Sequence, residues 1–309
     1  MDQIAPGIQQ LDTLLGGHVH MTAGFLIAGP QPALVETGSQ SSVETVVAGL
    51  TAAGLGPDDL RWIIVTHIHL DHAGGVGEMA AAFPRATVVV HEKGARHLVD
   101  PTRLINSAAQ VYGPLLDDLY GRMTPVAADR VIAAQDGHRI DIGDGRSLTM
   151  VDSPGHAKHH HAVLDSHTGV LMVGDAVGVR LPDLGVLRPA TPPPDFDLEA
   201  ATNSLHRFSE IRPTQVLLTH YGAVPDPMAT LLEAEEMLHS WVHVAEQTLA
   251  ASSEAGIDDV AGALAEAFAK GADELPEATR ERFEILNGIH SNAAGIVRYL
   301  RKRAEVKPA

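Results

Sequence analysis

Residues 63–75 read IIVTHIHLDHAGG, an apolar run leading into three histidines and an aspartate packed between positions 67 and 72. Holding such groups at the mouth of a buried strand is costly, so a fold that keeps them there must offer them a partner. In an extended chain alternate side chains share a face, which turns His67 and His69 one way and Ile68 the other, into a core. Beyond the turn, Asp71 and His72 can face a neighbouring point, and Gly74 and Gly75 let the following helix begin close by. Metal ions are the natural occupants of this convergence. Scattering the chain's 18 histidines at random would seldom produce H-x-H-x-D-H, so a chance cluster of solvated imidazoles explains it poorly.

Three more polar residues end other apolar runs: His156 in DSPGH, Asp175 in LMVGD and His220 in VLLTH. Singly they would read as a loop histidine, a helix cap and a surface residue. Together they repeat one arrangement, because strands that end at the same sheet edge deliver their terminal side chains to a shared cleft. Five imidazoles and two carboxylates suit two divalent ions about 3.5–4 Å apart, with one carboxylate bridging them. Zinc is the first choice, and iron or manganese accept the same nitrogen and oxygen ligands. The chain has no cysteine, which excludes thiolate sites, cysteine nucleophiles and disulfides.

The rest of the chain reads as α/β. Residues 24–38 form a strand pair around a Gly-Pro turn, and 42–55 a helix with Ser42 as N-cap. Residues 61–67 and 86–92 are buried strands around a helix near 75–83, and 138–173 are hairpins with Asp-Gly and Thr-Gly turns. Residues 214–220 give one more apolar strand, and 101–130 a long loop of little periodicity. After Pro225 the texture becomes helical, over 228–250, 257–270 and 278–303. The expected division is a catalytic domain over 1–225 and a helical extension over 226–309. The 22 basic and 39 acidic residues, a formal charge of -17, repel phosphate backbones, so the partner expected is a small molecule and not nucleic acid. The N-terminus lacks the pattern of a secretory signal and no run approaches a membrane span, which predicts a cytoplasmic, membrane-free protein compatible with a homodimer.

At this point the chain resembles the metallo-β-lactamase superfamily. H-x-H-x-D-H, then Pro-Gly-His, Gly-Asp and a strand-end histidine occur in that superfamily's order, over roughly residues 20–225. The resemblance implies a four-layer αβ/βα sandwich with the site between the sheet edges. It implies that His67, His69 and His156 bind one metal, that Asp71, His72 and His220 bind the other, and that Asp175 bridges. Where the family commonly carries Asp-Thr-Gly after the second strand, this chain has Glu36-Thr37-Gly38. The helical tail looks like that of glyoxalase II-like hydrolases, where it covers the cleft. Acyl-homoserine lactonases carry a tyrosine three residues after the bridging aspartate and glyoxalase II enzymes a Thr-Leu-Phe-like run, whereas this chain has Ala176-Val177-Gly178. Flavodiiron proteins replace the second histidine with glutamate, and His69 is retained here.

The chemistry expected is hydrolysis: a metal-bridging hydroxide attacks a small ester, thioester or lactone, with Asp71 and Asp175 as catalytic carboxylates and Asp71 passing a proton to the leaving group. The alternative class is a mononuclear Fe(II) oxidoreductase resembling persulfide dioxygenases, held by His67, His156 and Asp175. Tyr221, Tyr112 and Tyr120 are candidate substrate contacts, each with a packing role as its plain alternative. His159, His160 and His161 read as solvated residues at a strand start, one of them a possible brace for a ligand imidazole. GVGEMA at 75–80 matches a relaxed dinucleotide fingerprint, but the histidine motif occupies the pyrophosphate's place, and no G-x-S-x-G is present to supply a serine nucleophile.

Overall fold

The computed structural model describes residues 1–180, 185–268 and 276–306. The chain divides into two compact units, each made of separate stretches: 1–152, 159–174 and 213–224 in the first, and 153–158, 175–212 and the residues from 225 onward in the second.

The first unit holds two mixed sheets. One has seven strands, β1 (Asp2–Ala5), β2 (Ile8–Asp12), β3 (Ala23–Ile27), β4 (Ala33–Val35), β5 (Trp62–Ile64), β6 (Thr87–His91) and β7 (Val131–Ala134), in that order. Its first four strands pair antiparallel, and β4 to β7 run parallel. The other sheet has β8 (Arg139–Gly143), β9 (Arg146–Asp152), β10 (His161–Asp165), β11 (Val170–Met172), β12 (Gln215–Leu218) and β13 (Gly222–Ala223), antiparallel except where β11 meets β12. Alternation decides which face is inward: in β8, Ile140 and Ile142 are buried while Arg139 and Asp141 are exposed. Phe25, Val35, Ile64 and Val89 of the first sheet share one core with Leu148, Met150, Val163 and Leu217 of the second. Each such side chain contributes about 1.5–3 kcal/mol relative to exposure, which makes this layer the main tie between the sheets.

Topology places the site. The parallel strands β4 and β5 end together, with Val35 opposite Ile64, so Glu36 and the segment from Thr66 leave the sheet at one edge. In the second sheet β11 and β12 end side by side, and Asp152 at the end of β9 pairs with His161 at the start of β10. The chain therefore brings polar residues to strand ends in both sheets.

Helices α1 (Val43–Ala52), α2 (Leu70–Ala73), α3 (Val76–Ala82), α4 (Glu92–Val99) and α5 (Thr102–Tyr112) belong to the first unit. The strand pair at 24–38, the buried strand at 86–92 and the hairpins over 138–173 form as expected, whereas the strand expected over 61–67 stops at Ile64 and leaves His67 and His69 in bends beyond it. Gly75 allows the histidine turn to sit tight against its neighbours, since a Cβ there would lie 2.9 Å from the Ser39 carbonyl oxygen. Two local expectations need correcting. Ser42 does not cap α1 with its side chain. It already has helical backbone angles, follows a 3₁₀ turn at 40–42, and its hydroxyl pairs with that of Ser39 at 2.9 Å. The stretch 101–130 is not one long loop: it contains α5, a π-helical turn at Leu116–Tyr120 and a 3₁₀ turn at Ala128–Arg130. Leu104, Ile105, Ala108 and Ala109 of α5 recur at helical spacing and form its half-buried face, a stripe that marks the helix.

The second unit contains α6 (Leu198–Ile211), α7 (Pro227–Ala251), α8 (Ile257–Phe268), α9 (Glu277–Asn287) and α10 (Ile289–Val306). Residues 269–270, the end of the helix expected over 257–270, lie outside the described residues. Asp226 starts α7 by accepting from the backbone N–H groups of Met228 and Ala229, with Pro227 in the first turn where its missing N–H costs nothing. Leu231, Ala234, Leu238, Trp241 and Ala245 then bury one face of α7, with Trp241 stacked on Phe268. Among the described residues no helix is long and apolar enough to cross a membrane.

Candidate metal centre

In the first unit the sheet edge gathers His67, His69, Asp71, His72 and His220. His220 Nδ1 lies 2.7 Å from the carbonyl oxygen of Met21. A carbonyl only accepts, so Nδ1 carries the proton and Nε2 of the neutral ring keeps a lone pair. His72 Nδ1 faces Glu36 Oε1 at 3.3 Å without completing a hydrogen bond to it. The two Nε2 atoms then face each other at 3.2 Å, with Asp71 Oδ2 at 3.6 Å from His72 and 3.4 Å from His220. The ligand atoms of Asp71, His72 and His220 all lie within 4.8 Å of one another. Two lone pairs and a carboxylate oxygen repel unless a proton or a cation sits among them, and burial of both rings strengthens that repulsion. The residues fit a divalent cation.

Glu36 does more than its position suggested. Fully buried, it accepts from the Thr66 hydroxyl as well as facing His72. Because that hydroxyl gives its proton to Glu36, it accepts from His67 Nδ1, 3.0 Å away, and leaves His67 Nε2 unprotonated beside His69 Nδ1 at 2.9 Å. Glu36 thus sets the tautomer of His67 through Thr66 and places its charge beside His72. Thr66 escaped the sequence reading. Its signal, a hydroxyl residue just before the first histidine, is too common to single out.

The second unit holds His156 and Asp175, with His156 Nε2 3.4 Å from Asp175 Oδ2. His156 Nδ1 donates to the Ala190 carbonyl oxygen at 2.9 Å, which leaves the lone pair on Nε2, turned toward a carboxylate. Beside them is a small pocket with apolar walls, among them Ala176, Val177, Pro189, Phe196 and Leu238.

The remaining histidines and tyrosines are placed as follows. His160 and His161 are fully buried, contrary to the solvated strand start expected, because β10 begins under the histidine turn, with His161 N–H bonded to the Thr66 carbonyl at 2.9 Å. The His160 and His159 rings lie 5.0 and 6.2 Å from that of His67. Burial, and after it the neighbouring His91, pushes the His161 pKa down to about 3. His91 sits 6.1 Å from His161, ring to ring, with Nε2 3.4 Å from Asp152 Oδ1. Tyr221 is half-buried with its ring against His20 and its pKa pushed up to about 12, chiefly by burial. Tyr112 and Tyr120 pair with ring centroids 4.6 Å apart. Burial raises the Tyr120 phenol well above the ordinary range, with Tyr112 and Asp71 as further causes.

Two mixed sheets with histidines and aspartates collected at strand ends define a class of metal-binding α/β proteins. The profile of the metallo-beta-lactamase superfamily matches residues 23–220, and the chain belongs to that superfamily. It is similar to the metallo-beta-lactamase fold-containing protein ST1585 of Sulfurisphaera tokodaii, 32% identical over 54% of this chain and 62% of that protein. It is also similar to the N-acyl homoserine lactonase AttM of Azorhizobium caulinodans, 32% identical over 39% of this chain and 41% of the lactonase. The chain therefore matches about two-fifths to three-fifths of the length of these two relatives. Among solved structures, the metallo-beta-lactamase family protein TTHA1429 from Thermus thermophilus superposes with a TM-score of 0.70 at 20% identity, covering 99% of this chain and 97% of that one. The fold is the one the resemblance implied: two mixed sheets, helices and a helical C-terminal part.

Proposed function

We propose that the protein is a hydrolase of small esters, thioesters or lactones that works with two bound divalent cations, zinc first among them. The observation that carries this is the approach of His72 Nε2 and His220 Nε2 to 3.2 Å beside the Asp71 carboxylate, with the His220 lone pair held inward by the Met21 carbonyl on its other nitrogen. Bound cations supply an acidic water and a Lewis acid for a carbonyl oxygen. The order of ligands in the family assigns His67, His69 and His156 to one ion, Asp71, His72 and His220 to the other, and Asp175 to both. Asp71 is the more open of the two carboxylates, its side chain 17% exposed against 8% for Asp175, and we give it the proton transfer to the leaving group. Tyr221, Tyr112 and Tyr120 are the candidate substrate contacts, Tyr112 exposed and Tyr120 almost wholly buried. The pocket beside His156 and Asp175 has room for about one water molecule and leaves the acyl or alkyl part of a substrate to be held elsewhere. The lactonase relatives support a lactone among the substrates, while Gly178, in place of the tyrosine those enzymes carry, points away from acyl-homoserine lactones themselves.

The test is metal analysis of protein purified without added metal, followed by a panel of esters, thioesters and lactones on the same preparation. Two equivalents of metal and turnover of at least one class are expected, with Asp175→Ala losing both turnover and metal. Full activity with normal metal content in that variant removes the bridging role. One equivalent of iron, with oxygen uptake on a persulfide and no hydrolysis, replaces the hydrolase by an oxidoreductase.

A further inference from the structure

We propose that Asn292, on α10, is a positioning residue for His156: it grips the loop 189–191, whose Ala190 carbonyl fixes the imidazole that binds metal. This rests on the reading of His156 as a ligand and goes beyond it by giving the C-terminal helices a part in the centre. Ala190 accepts from His156 Nδ1 at 2.9 Å, and both of its neighbours in the chain are tied to α9 and α10. On one side, the Thr191 N–H donates to Asn292 Oδ1 at 2.6 Å, and the Thr191 hydroxyl donates to the same oxygen at 2.9 Å. On the other, Asn287 Nδ2 donates to the Pro189 carbonyl at 3.0 Å. The two amides brace each other, Asn292 Nδ2 lying 3.2 Å from Asn287 Oδ1 and 3.1 Å from the Gly288 carbonyl.

All of this is out of water: Thr191 is 0% exposed, Asn292 2% and Asn287 5%. A buried polar group that loses its partner is penalised in full, so the loop has one low-energy place relative to α10. Gly295, one turn further along α10, enforces the same fit by shape, since a Cβ there would lie 1.8 Å from the Thr191 carbonyl oxygen. Any shift of the loop moves the Ala190 oxygen, and with it the acceptor that orients the Nδ1–H of His156. Loss of such an outer contact commonly costs about 10–100-fold in metal affinity.

The experiment uses the full chain loaded with zinc alone and competed against a chelator. Asn292→Ala is expected to weaken retention of one of the two ions about 10–100-fold, and Gly295→Ala to act in the same direction without removing a polar group. Tyr299→Phe, which breaks a bond from α10 to Glu199 elsewhere in the unit, should leave retention unchanged. Nitrogen-resolved NMR of the histidines supplies a second readout: the Nδ1–H of His156 should exchange slowly in the parent and faster in Asn292→Ala. Should Asn292→Ala fail to fold, Thr191→Val removes the hydroxyl bonds to Asn292 in a near-isosteric side chain and takes its place. Parent-like zinc retention and exchange in the folded variants overturn the proposal. Retention of both ions by His156→Ala would instead overturn the ligand assignment beneath it.

Discussion

At the scale of single residues, Glu36 is the decisive side chain that touches no proposed substrate. The Thr66 hydroxyl and His72 Nδ1 both face the same oxygen, Oε1, which a glutamine could reproduce, so the informative change is Glu36→Leu, of similar size and without an acceptor. We expect zinc affinity to fall about 10–100-fold with little change in the circular dichroism spectrum, and chelator competition measures it. His161 gives a prediction in pH. Its folded pKa of about 3 lies below the usual value of 6.5, so the unfolded chain binds the proton more readily. Stability from this group is complete above pH 6.5 and is lost as pH falls toward 3, by about 1.4 kcal/mol per pH unit. In denaturant titrations at pH 7.5 and about 5.5, His161→Leu should lose less stability on acidification than the parent. An equal loss in both would show that the ring does not stay neutral. The candidate ligands stood out because histidine and aspartate at strand ends are chemically rare. Their braces did not: Thr66 is an ordinary residue, and the Met21 and Ala190 carbonyls belong to the backbone, which carries no side-chain signature.

At the scale of elements, β9 and β10 are held by an ion pair as well as by their ladder. Arg146 Nε and Nη2 bind Asp165 at 2.8 and 2.9 Å, and Nη1 reaches the Ala28 carbonyl in the other sheet at 3.1 Å. Burial alone would raise the Asp165 pKa, but the bonds from Arg146 and Thr168 outweigh it and hold the carboxyl below the usual range. Its stabilisation is therefore present above the unfolded value near 3.9 and is lost as pH falls through the lower, folded one. Arg146→Ala leaves a buried carboxylate without its cation and should cost about 3–5 kcal/mol, read as a shift in the urea midpoint. The hairpins were legible from alternation and their turn residues, as in β8. Helix α5 was legible too, in the helical spacing of Leu104, Ile105 and Ala108, but it lies within a stretch otherwise read as loop.

At the scale of the whole molecule, cations that bind only the folded chain stabilise it. Each site at 100 times its dissociation constant adds about 2.7 kcal/mol, so the melting temperature should climb with added zinc and drop with chelator. A melting temperature indifferent to both would sink the metal centre irrespective of any assay. The superfamily was legible because its motif spans the chain in order. The grouping of 153–158 and 175–212 with the C-terminal helices was not, since hydropathy reads neighbours along the chain and these pieces are joined across it. One consequence follows for biosynthesis from the bond between His220 and Met21, partners 199 positions apart. The trio of Asp71, His72 and His220 does not exist while the chain is shorter than 220 residues. A ribosome-bound nascent chain can thus offer the H-x-H-x-D-H turn to passing ions long before it can retain one there, and cation uptake at this trio falls late in synthesis or after release.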